Sequence, residues 1–414
     1  MVLIDAWRAL ASVTAACCGV SVAAGGARAQ TVSETAPALN VNDAEYRNVG
    51  IKFGTVMVYP AVTARMEYDN NVYADPTGKE GDLVFVAAPR IAAAYAHNNV
   101  DFHAQAEATI TRYARLTNEN STAFSTKAEL GINPSAVDRL SIAGGFERIV
   151  EDRGVSEART GRTIGPRLQR SFFGQGRYHR QQGRFLFDMQ GEARTYRGQK
   201  QFDADRDFNA YSGSMTVGTR VAGSLLATAT GFVVHRDFVL PGTAVKPSRD
   251  ATTYGGRIGF EVSGSAFLEG HASVGVFRFD PADARLPGRT GLSIDASITY
   301  RPRRRTAITF DAFRGDVATF RLGAQARTDT RFALGVQQEL HHDVYASAGV
   351  GWRESRFIGQ SVVERTATVQ GELEWLVNRS IAVSVDATFA KRTSNDLNKR
   401  YDRFQMGTSV RLRF

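Results

Sequence analysis

Hydrophobic and polar residues alternate along much of this chain, most clearly in its last twelve residues, Arg403–Phe414. The apolar positions of that segment, taken in steps of two, are Phe404, Met406, Val410, Leu412 and Phe414. The intervening positions are polar or small and include Arg411 and Arg413. Successive side chains of a β-strand point to opposite faces, so this pattern predicts a strand with one apolar and one polar face.

The same two-residue period recurs through the chain. Eighteen segments show it, beginning near residues 55, 82, 99, 121, 138, 164, 183, 207, 223, 251, 266, 289, 304, 328, 342, 363, 379 and 400. Short turns and long connections alternate between them, which is typical of outer-membrane barrels. The sequence therefore predicts an all-β fold, a transmembrane antiparallel up-and-down β-barrel of about 18 strands, or 16 as the alternative. Its long loops would be extracellular and its short turns periplasmic.

The N-terminus has the features of an export signal. Residues 1–29 combine a short basic start, a small and apolar stretch, and Ala27-Arg28-Ala29 as a cleavage pattern. A short membrane anchor is the alternative. Both cysteines, Cys17 and Cys18, lie inside this segment. We predict a signal peptide over residues 1–29, a polar periplasmic arm over 30–53, and the barrel over 54–414.

Charge narrows the range of partners. The chain has 51 basic and 42 acidic residues, a net charge of +9, but the charges are scattered singly or in pairs. A nucleic-acid surface needs basic residues massed on one face, so we expect no nucleic-acid partner. The barrel prediction instead makes outer-membrane lipid the main partner of the apolar faces.

The closing segment is similar to the assembly signal of bacterial outer-membrane proteins. That signal has a terminal aromatic residue, here Phe414, preceded by apolar residues at alternate positions, here Leu412, Val410, Met406 and Phe404. The resemblance implies that the barrel-assembly machinery inserts the chain. In a closed barrel, the last strand pairs with the first and its apolar face touches lipid.

The start of the predicted barrel carries a second resemblance. The stretch "PAVTARMEYDNNVYADP" contains Tyr68, Asp69, Asn71, Val72 and Tyr73 in an aromatic-Asp-x-Asn-aliphatic-aromatic order. It resembles the opening of the putative beta-barrel porin 2 family. Members of that family are often associated with exopolysaccharide export, so the resemblance implies a conduit for a secreted polysaccharide that works with a periplasmic export protein.

A barrel of sixteen to eighteen strands encloses a water-filled lumen, and its polar strand faces line that lumen. The predicted pore-lining residues carry charges of both signs and comprise Asp101, His103, Glu107, Asp188, Glu192, Arg194, Asp295, Asp311, Glu372, Asp386, Arg411 and Arg413. Mixed charges suit a hydrated path for ions or sugars. The alternative is that each residue is only solvated and pairs with a charge on a neighbouring strand.

One basic cluster lies at a predicted periplasmic turn and comprises Arg301, Arg303, Arg304 and Arg305. It could dock an acidic periplasmic partner or lipid headgroups, or form an ordinary solvated turn. We expect no catalytic residues, no metal and no cofactor. His341-His342 is expected to be a poor metal site, because adjacent strand residues point opposite ways.

The function predicted from the sequence is passage through the outer membrane rather than chemistry. The first hypothesis is a barrel component of exopolysaccharide secretion. The second is a passive diffusion porin for small solutes. The third is a barrel-embedded lipid or glycan hydrolase, for which His271 and Ser273 are the nearest candidates.

Overall fold

Nineteen strands form one antiparallel sheet that closes on itself where the last strand pairs with the second. This computed structural model describes Leu39, Tyr46 and residues 48–159, 161–240, 242, 247–263, 265–321 and 324–414. The predicted signal peptide lies outside the described residues, as does most of the predicted arm.

The strands differ little in length, apart from the first, and the barrel strands have 12 to 16 residues each. In chain order they are β1 (Ile51–Phe53), β2 (Val56–Asp69), β3 (Asp82–His97), β4 (Val100–Tyr113), β5 (Ser121–Ile132), β6 (Asp138–Val150), β7 (Leu168–Gln182), β8 (Phe185–Gly198), β9 (Phe208–Ala222), β10 (Leu225–Phe238), β11 (Ala251–Val262), β12 (Leu268–Pro281), β13 (Arg289–Arg303), β14 (Thr306–Val317), β15 (Ala326–His341), β16 (Val344–Ile358), β17 (Val363–Leu376), β18 (Ile381–Ser394) and β19 (Tyr401–Arg413).

Strands β2 to β19 form the ring, so the barrel has 18 strands and the fold prediction is confirmed. Each strand pairs with its neighbours in the chain, and the seam between β19 and β2 runs from Gln405 opposite Asp69 to Arg413 opposite Ala61. The short strand β1 folds back on the start of β2 as a hairpin. Ring closure leaves no open sheet edge, which a lipid environment requires.

Turn chemistry explains why the two ends of the barrel differ. At one end the connections are two to five residues long, as at Asn98-Asn99 and Gly223-Ser224. Asn98 and Gly223 have φ of +52° and +50°, the left-handed conformation that tight hairpin turns require. The connections at the other end are mostly longer, and the longest covers residues 151–167. Short turns identify the periplasmic end in this class of barrel.

The two faces of the sheet differ in chemistry. Large apolar side chains at alternate positions stand exposed on the outer face, including Phe185 at 71% and Ile258 at 69% exposure. The apolar residues of the closing strand share this face: Phe404, Met406, Val410, Leu412 and Phe414 are all exposed. Such a continuous apolar band is stable only against lipid.

The inner face is polar, and no single apolar core fills the barrel. Buried apolar residues instead form small clusters, one of them around Phe208, Tyr196 and Phe238 near the extracellular end. Many charged residues are buried in the described part of the chain, among them Arg327 and Glu157. None of the helices in the described residues is long and apolar enough to cross a membrane.

Two described residues before the barrel contact its inner periplasmic end. Tyr46 packs against a cluster formed by Tyr345, Leu376 and Ala382. The backbone amide of Leu39 donates a hydrogen bond of 2.9 Å to Gln337 Oε1, and Leu39 is buried. These contacts place both residues against the periplasmic half of the inner wall.

Candidate functional site

The connection between β6 and β7 is buried, although it is a long loop at the extracellular end. We call residues 151–167 the interior loop; Thr160 is not among the described residues. Its buried members include Glu151, Arg153, Val155, Ser156 and Glu157. Loops normally lie on the surface because their backbone groups need partners. A loop this buried must find its partners inside the protein.

The interior loop reaches the opposite wall of the barrel. The Glu157 carboxylate accepts hydrogen bonds from the Arg327 guanidinium and from the Thr319 hydroxyl, the latter at 2.9 Å. Arg327 lies at the start of β15, nine strands from β6 in a ring of eighteen. Since this is the largest possible separation around the ring, the loop crosses the barrel interior near its extracellular end.

Glu157 has a left-handed backbone, with φ of +65°. A non-glycine residue in this region is strained by about 1 kcal/mol or more and needs neighbours that hold it there. The carboxylate of Glu157 also accepts a 2.7 Å hydrogen bond from the backbone amide of Phe320. Three donors therefore converge on one carboxylate, and they fix the apex of the loop.

Other walls hold the rest of the loop. The Gly154 carbonyl accepts hydrogen bonds from the Tyr401 hydroxyl, at 3.0 Å, and from Arg392. The Ser156 hydroxyl donates to Glu364 at 2.8 Å. These three partners lie on β19, β18 and β17, so the loop is attached to a sixth of the ring that does not include its own strands.

Asp152 joins the loop to the seam of the barrel. Its carboxylate accepts hydrogen bonds of 3.0 and 3.1 Å from Arg403, which also donates to Asp69 at 2.5 Å. Burial works against ionisation of Asp152, but Arg403 outweighs it and the pKa of this carboxyl lies below its ordinary value. Asp152 is therefore ionised at neutral pH.

The base of the loop is held by a second network. Glu151 accepts from Arg167 at 2.8 Å and from Arg206 at 3.1 Å. Asp203, in the next extracellular connection, accepts from Arg159 and from Arg167. Burial alone would raise the pKa of Asp203, yet its two arginine partners hold it below the ordinary value. These ion pairs thus fix the base of the interior loop against the barrel wall and the next extracellular connection.

This geometry places a charged segment across the lumen at its extracellular end. The interior loop spans the ring, its carboxylates are matched by arginines on β15 and β19, and a 2.6 Å ion pair joins Arg153 to Glu119 at its flank. Buried ion pairs are strong only while both partners remain, because an orphaned buried charge is costly. The loop therefore occupies part of the lumen near its extracellular end.

Family comparison agrees with the architecture. The family described as putative beta-barrel porin 2 matches residues 43–414 of the chain. The chain belongs to this family. It is thus an outer-membrane β-barrel of the porin type, as the opening stretch of the sequence suggested. No curated protein shows significant sequence similarity to this porin-family chain.

Solved outer-membrane barrels are similar to it in outline only. The siderophore receptor PirA from Pseudomonas aeruginosa is 9% identical, with a TM-score of 0.46, and the match covers 88% of this chain and 81% of that one. OccK2 (OpdF) from the same organism is 10% identical, with a TM-score of 0.46, over 86% and 98% of the two chains. The FrpB iron transporter from Neisseria meningitidis is 8% identical, with a TM-score of 0.44, over 88% and 82%. These likenesses carry no information on substrate.

The twelve residues predicted to line the pore all occupy positions that alternate with the exposed apolar ones. Most are engaged in ion pairs, and most of these pairs join strands that are two positions apart around the ring. The pairs are Asp101 with Arg139, Asp188 with Arg177 and His179, Arg194 with Glu147 and Glu192, Asp295 with Arg257, Asp386 with Arg65, and Arg411 with Glu374. His103 lies 3.7 Å from Asp101, while Glu107, Asp311, Glu372 and Arg413 have no ion pair among the described residues. The twelve are spread around the wall and do not converge on one site.

The other predicted features have clear positions. In the basic turn, Arg301 pairs with Glu269 and Arg305 with Glu339, whereas Arg303 and Arg304 are exposed. The Ser273 hydroxyl donates to the Asp295 carbonyl at 3.1 Å. Since it is not hydrogen-bonded to His271, these residues do not form the nucleophile–base pair that a hydrolase needs.

The reason given against metal binding at His341-His342 is wrong. His341 ends β15, while His342 and Asp343 lie in the turn, so strand alternation does not separate them. One ligand atom from each of the three lies within 4.8 Å of the others. His341 Nδ1 already contacts Asp343 Oδ1 at 2.5 Å, and Trp375 donates to the same carboxylate, so the cluster is explained as a hydrogen-bonded turn.

Sequence reasoning missed the interior loop. Strand alternation places Arg327, Arg392 and Arg403 on the inner face, but it says nothing about which loop they meet. The usable signal was the loop itself, because "EDRGVSEAR" has five charged residues in nine, an unusual density for a connection. That density is typical of a loop held by ion pairs.

Proposed function

We propose that this protein is a gated outer-membrane conduit for a hydrophilic solute. The observation that carries the proposal is the interior loop, which crosses the barrel and is held on the far side by Arg327. A conduit for a regulated cargo needs a part that can block the lumen and withdraw from it, and the interior loop is placed to do so. The gate would open when Glu157 and Asp152 leave their arginine partners.

The substrate we propose is an exopolysaccharide on its way out of the cell. The family resemblance of the barrel's opening stretch supports this choice, and a barrel of 18 strands is wide enough for a hydrated chain once the loop has moved. The exposed arginines of the periplasmic turn, Arg303 and Arg304, would dock an acidic surface of a periplasmic export protein.

Passive diffusion of small solutes is the second candidate. It is favoured by the paired charges of both signs along the inner wall, such as Asp101 with Arg139 and Asp386 with Arg65. Such pairs keep a path hydrated without binding any one solute tightly. In this case the interior loop would narrow the lumen rather than close it.

An in-frame deletion separates the two candidates. We would weigh the surface polysaccharide of the deletion strain and follow its uptake of a small neutral sugar. Less polymer with unchanged uptake supports export, and complementation with the intact gene must restore the polymer. Normal polymer with slower uptake supports the diffusion porin and overturns the export proposal.

A further inference from the structure

Arg331 on the inner face of β15 lacks a carboxylate partner. Its guanidinium lies over the ring of Phe313, 4.4 Å from the ring centroid. Its Nε atom is buried and has no hydrogen-bond partner among the described residues, which also provide no ion pair for it. Arg331 is half-buried and faces the lumen, and a cation there without an ion pair attracts anions, so the side chain points to a ligand that supplies the missing charge.

The carboxylate nearest to Arg331 along the strand is already saturated. Asp329 accepts from Arg353 at 2.5 Å and from the Ser355 hydroxyl at 2.8 Å, and Arg327 Nε lies 3.2 Å from it. Two arginines thus share one carboxylate. Arg353 stands directly opposite Arg331 in the strand register, so two cations are adjacent on the wall.

The second nearby carboxylate, Asp295, lies against two other cations and forms no ion pair with Arg331, and its Oδ2 atom accepts no hydrogen bond from the described residues. Arg257 Nη2 lies 3.2 Å from Asp295 Oδ2, and His271 Nε2 lies 3.7 Å from the same atom. No further acidic group is among the main charged neighbours of Arg331, which are Arg353, Asp329, Arg327 and Asp295. This part of the wall therefore has an excess of positive charge.

The wall next to the two arginines leaves room for a ligand. One step toward the periplasm, Ala333 follows Arg331 on the inner face of β15, and Gly351 lies opposite it on β16. A Cβ atom built on Gly351 would meet no atom closer than 3.9 Å. One step further on, the polar side chains of Thr309 and Gln370 lie over Gly335 and Gly349. The inner wall is therefore open above Gly351, next to the two arginines.

We propose that Arg331 and Arg353 form an oxyanion-binding site in the lumen, with Ala333 and Gly351 as its floor. The ligand is a carboxylate or phosphate group, since planar guanidinium groups bind both through paired hydrogen bonds. The proposal deepens the conduit function and rests on it for its biological meaning: the cargo would be an acidic sugar rather than a neutral one. Binding itself does not depend on transport.

Calorimetric titration of the purified full barrel in a non-ionic detergent tests the site. The probes are sodium glucuronate, inorganic phosphate and glucose. Both anions, or glucuronate alone, should bind while glucose does not. Arg331→Gln should weaken anion binding about tenfold or more, because it removes a charge-assisted contact. Gly351→Leu should weaken it as much without changing any charge.

Arg139→Gln is the matched control, because it removes an inner-wall arginine that pairs with Asp101 instead of facing a free space. It should bind anions as the unaltered barrel does. Binding of phosphate but not glucuronate would identify an inorganic oxyanion site and overturn the acidic-sugar assignment. Binding of neither anion, or equal binding in Arg331→Gln, would overturn the site. A barrel that binds glucuronate while its deletion leaves polymer secretion intact would contradict only the proposed export function.

Discussion

Removing Arg327 should open the conduit. In the Arg327→Gln variant, the Glu157 carboxylate keeps its hydrogen bonds from Thr319 and Phe320 but loses the one ion pair it forms with a described residue. Breaking a buried pair by deleting one member costs about 3–5 kcal/mol. The two remaining donors place this case at about 3 kcal/mol, which makes the ratio of open to closed loops about a hundredfold larger.

The partner variant should have a smaller effect. In Glu157→Gln, Arg327 still has Asp329 within 3.2 Å, so no buried charge is orphaned. The double variant, with glutamine at both positions, should open less than Arg327→Gln because it contains no unpaired carboxylate. Loop opening should therefore be most frequent in Arg327→Gln, less frequent in the double variant and in Glu157→Gln, and rarest in the unaltered protein. This order follows from the number of unpaired buried charges in each variant.

Planar bilayers provide the assay. Conductance of the unaltered barrel should be low with rare openings, and Arg327→Gln should open far more often. Arg139→Gln serves as the control, since its ion pair with Asp101 is on the inner wall but does not involve the interior loop. Equal conductance in Arg327→Gln and the unaltered barrel would refute the assignment of this pair as the closing contact.

Three further outcomes are expected. The pKa values of Asp152 and Asp203 are lowered in the folded protein, so their ion pairs stabilise the closed loop at pH values above the ordinary carboxyl pKa of about 3.9, and this stabilisation is lost as the pH falls. Conductance should therefore stay low from pH 8 to 5 and rise below about pH 4. A rise already at pH 6 would contradict this. Gly275→Ala should lower the urea midpoint by the equivalent of about 1–3 kcal/mol, because its Cβ would lie 1.9 Å from the Gly256 carbonyl oxygen, whereas Gly174→Ala, with no atom within 4 Å, should leave it unchanged. Deleting Phe414 should reduce the amount of folded protein in outer-membrane fractions, since its amide donates to the Pro60 carbonyl at the seam; full recovery would contradict its role in assembly.

Strand alternation was sufficient to predict the barrel, because one face meets lipid and the other meets water all along each strand. The predicted starts near residues 82, 121, 138 and 251 coincide with β3, β5, β6 and β11. The largest displacement is at β7, which was placed near 164 but begins at Leu168, since Gly165-Pro166 continues the interior loop. Local pattern could not distinguish a polar loop end from a polar strand start.

The course of the interior loop across the lumen could not be predicted in the same way. Glu157 and Arg327 are 170 residues apart, and Asp152 and Arg403 are 251 apart. No periodicity connects such positions, because their contact depends on the curvature of the whole ring and on where one loop turns inward. Arg331 was overlooked for a different reason. It is distinguished only by the lack of an ion pair, and the sequence does not show which carboxylates pair with the neighbouring arginines.

Arg403 contributes to two structures at once. It joins Asp69 across the seam between the first and last barrel strands, and it also holds Asp152 of the interior loop. The strands that receive the loop, β15 and β17 to β19, lie in the last part of the chain. A barrel that still lacks these strands therefore also lacks the partners of its interior loop, and the loop can take its crossing position only when the wall is complete. Substitutions at the seam should accordingly release the loop before they unfold the strands.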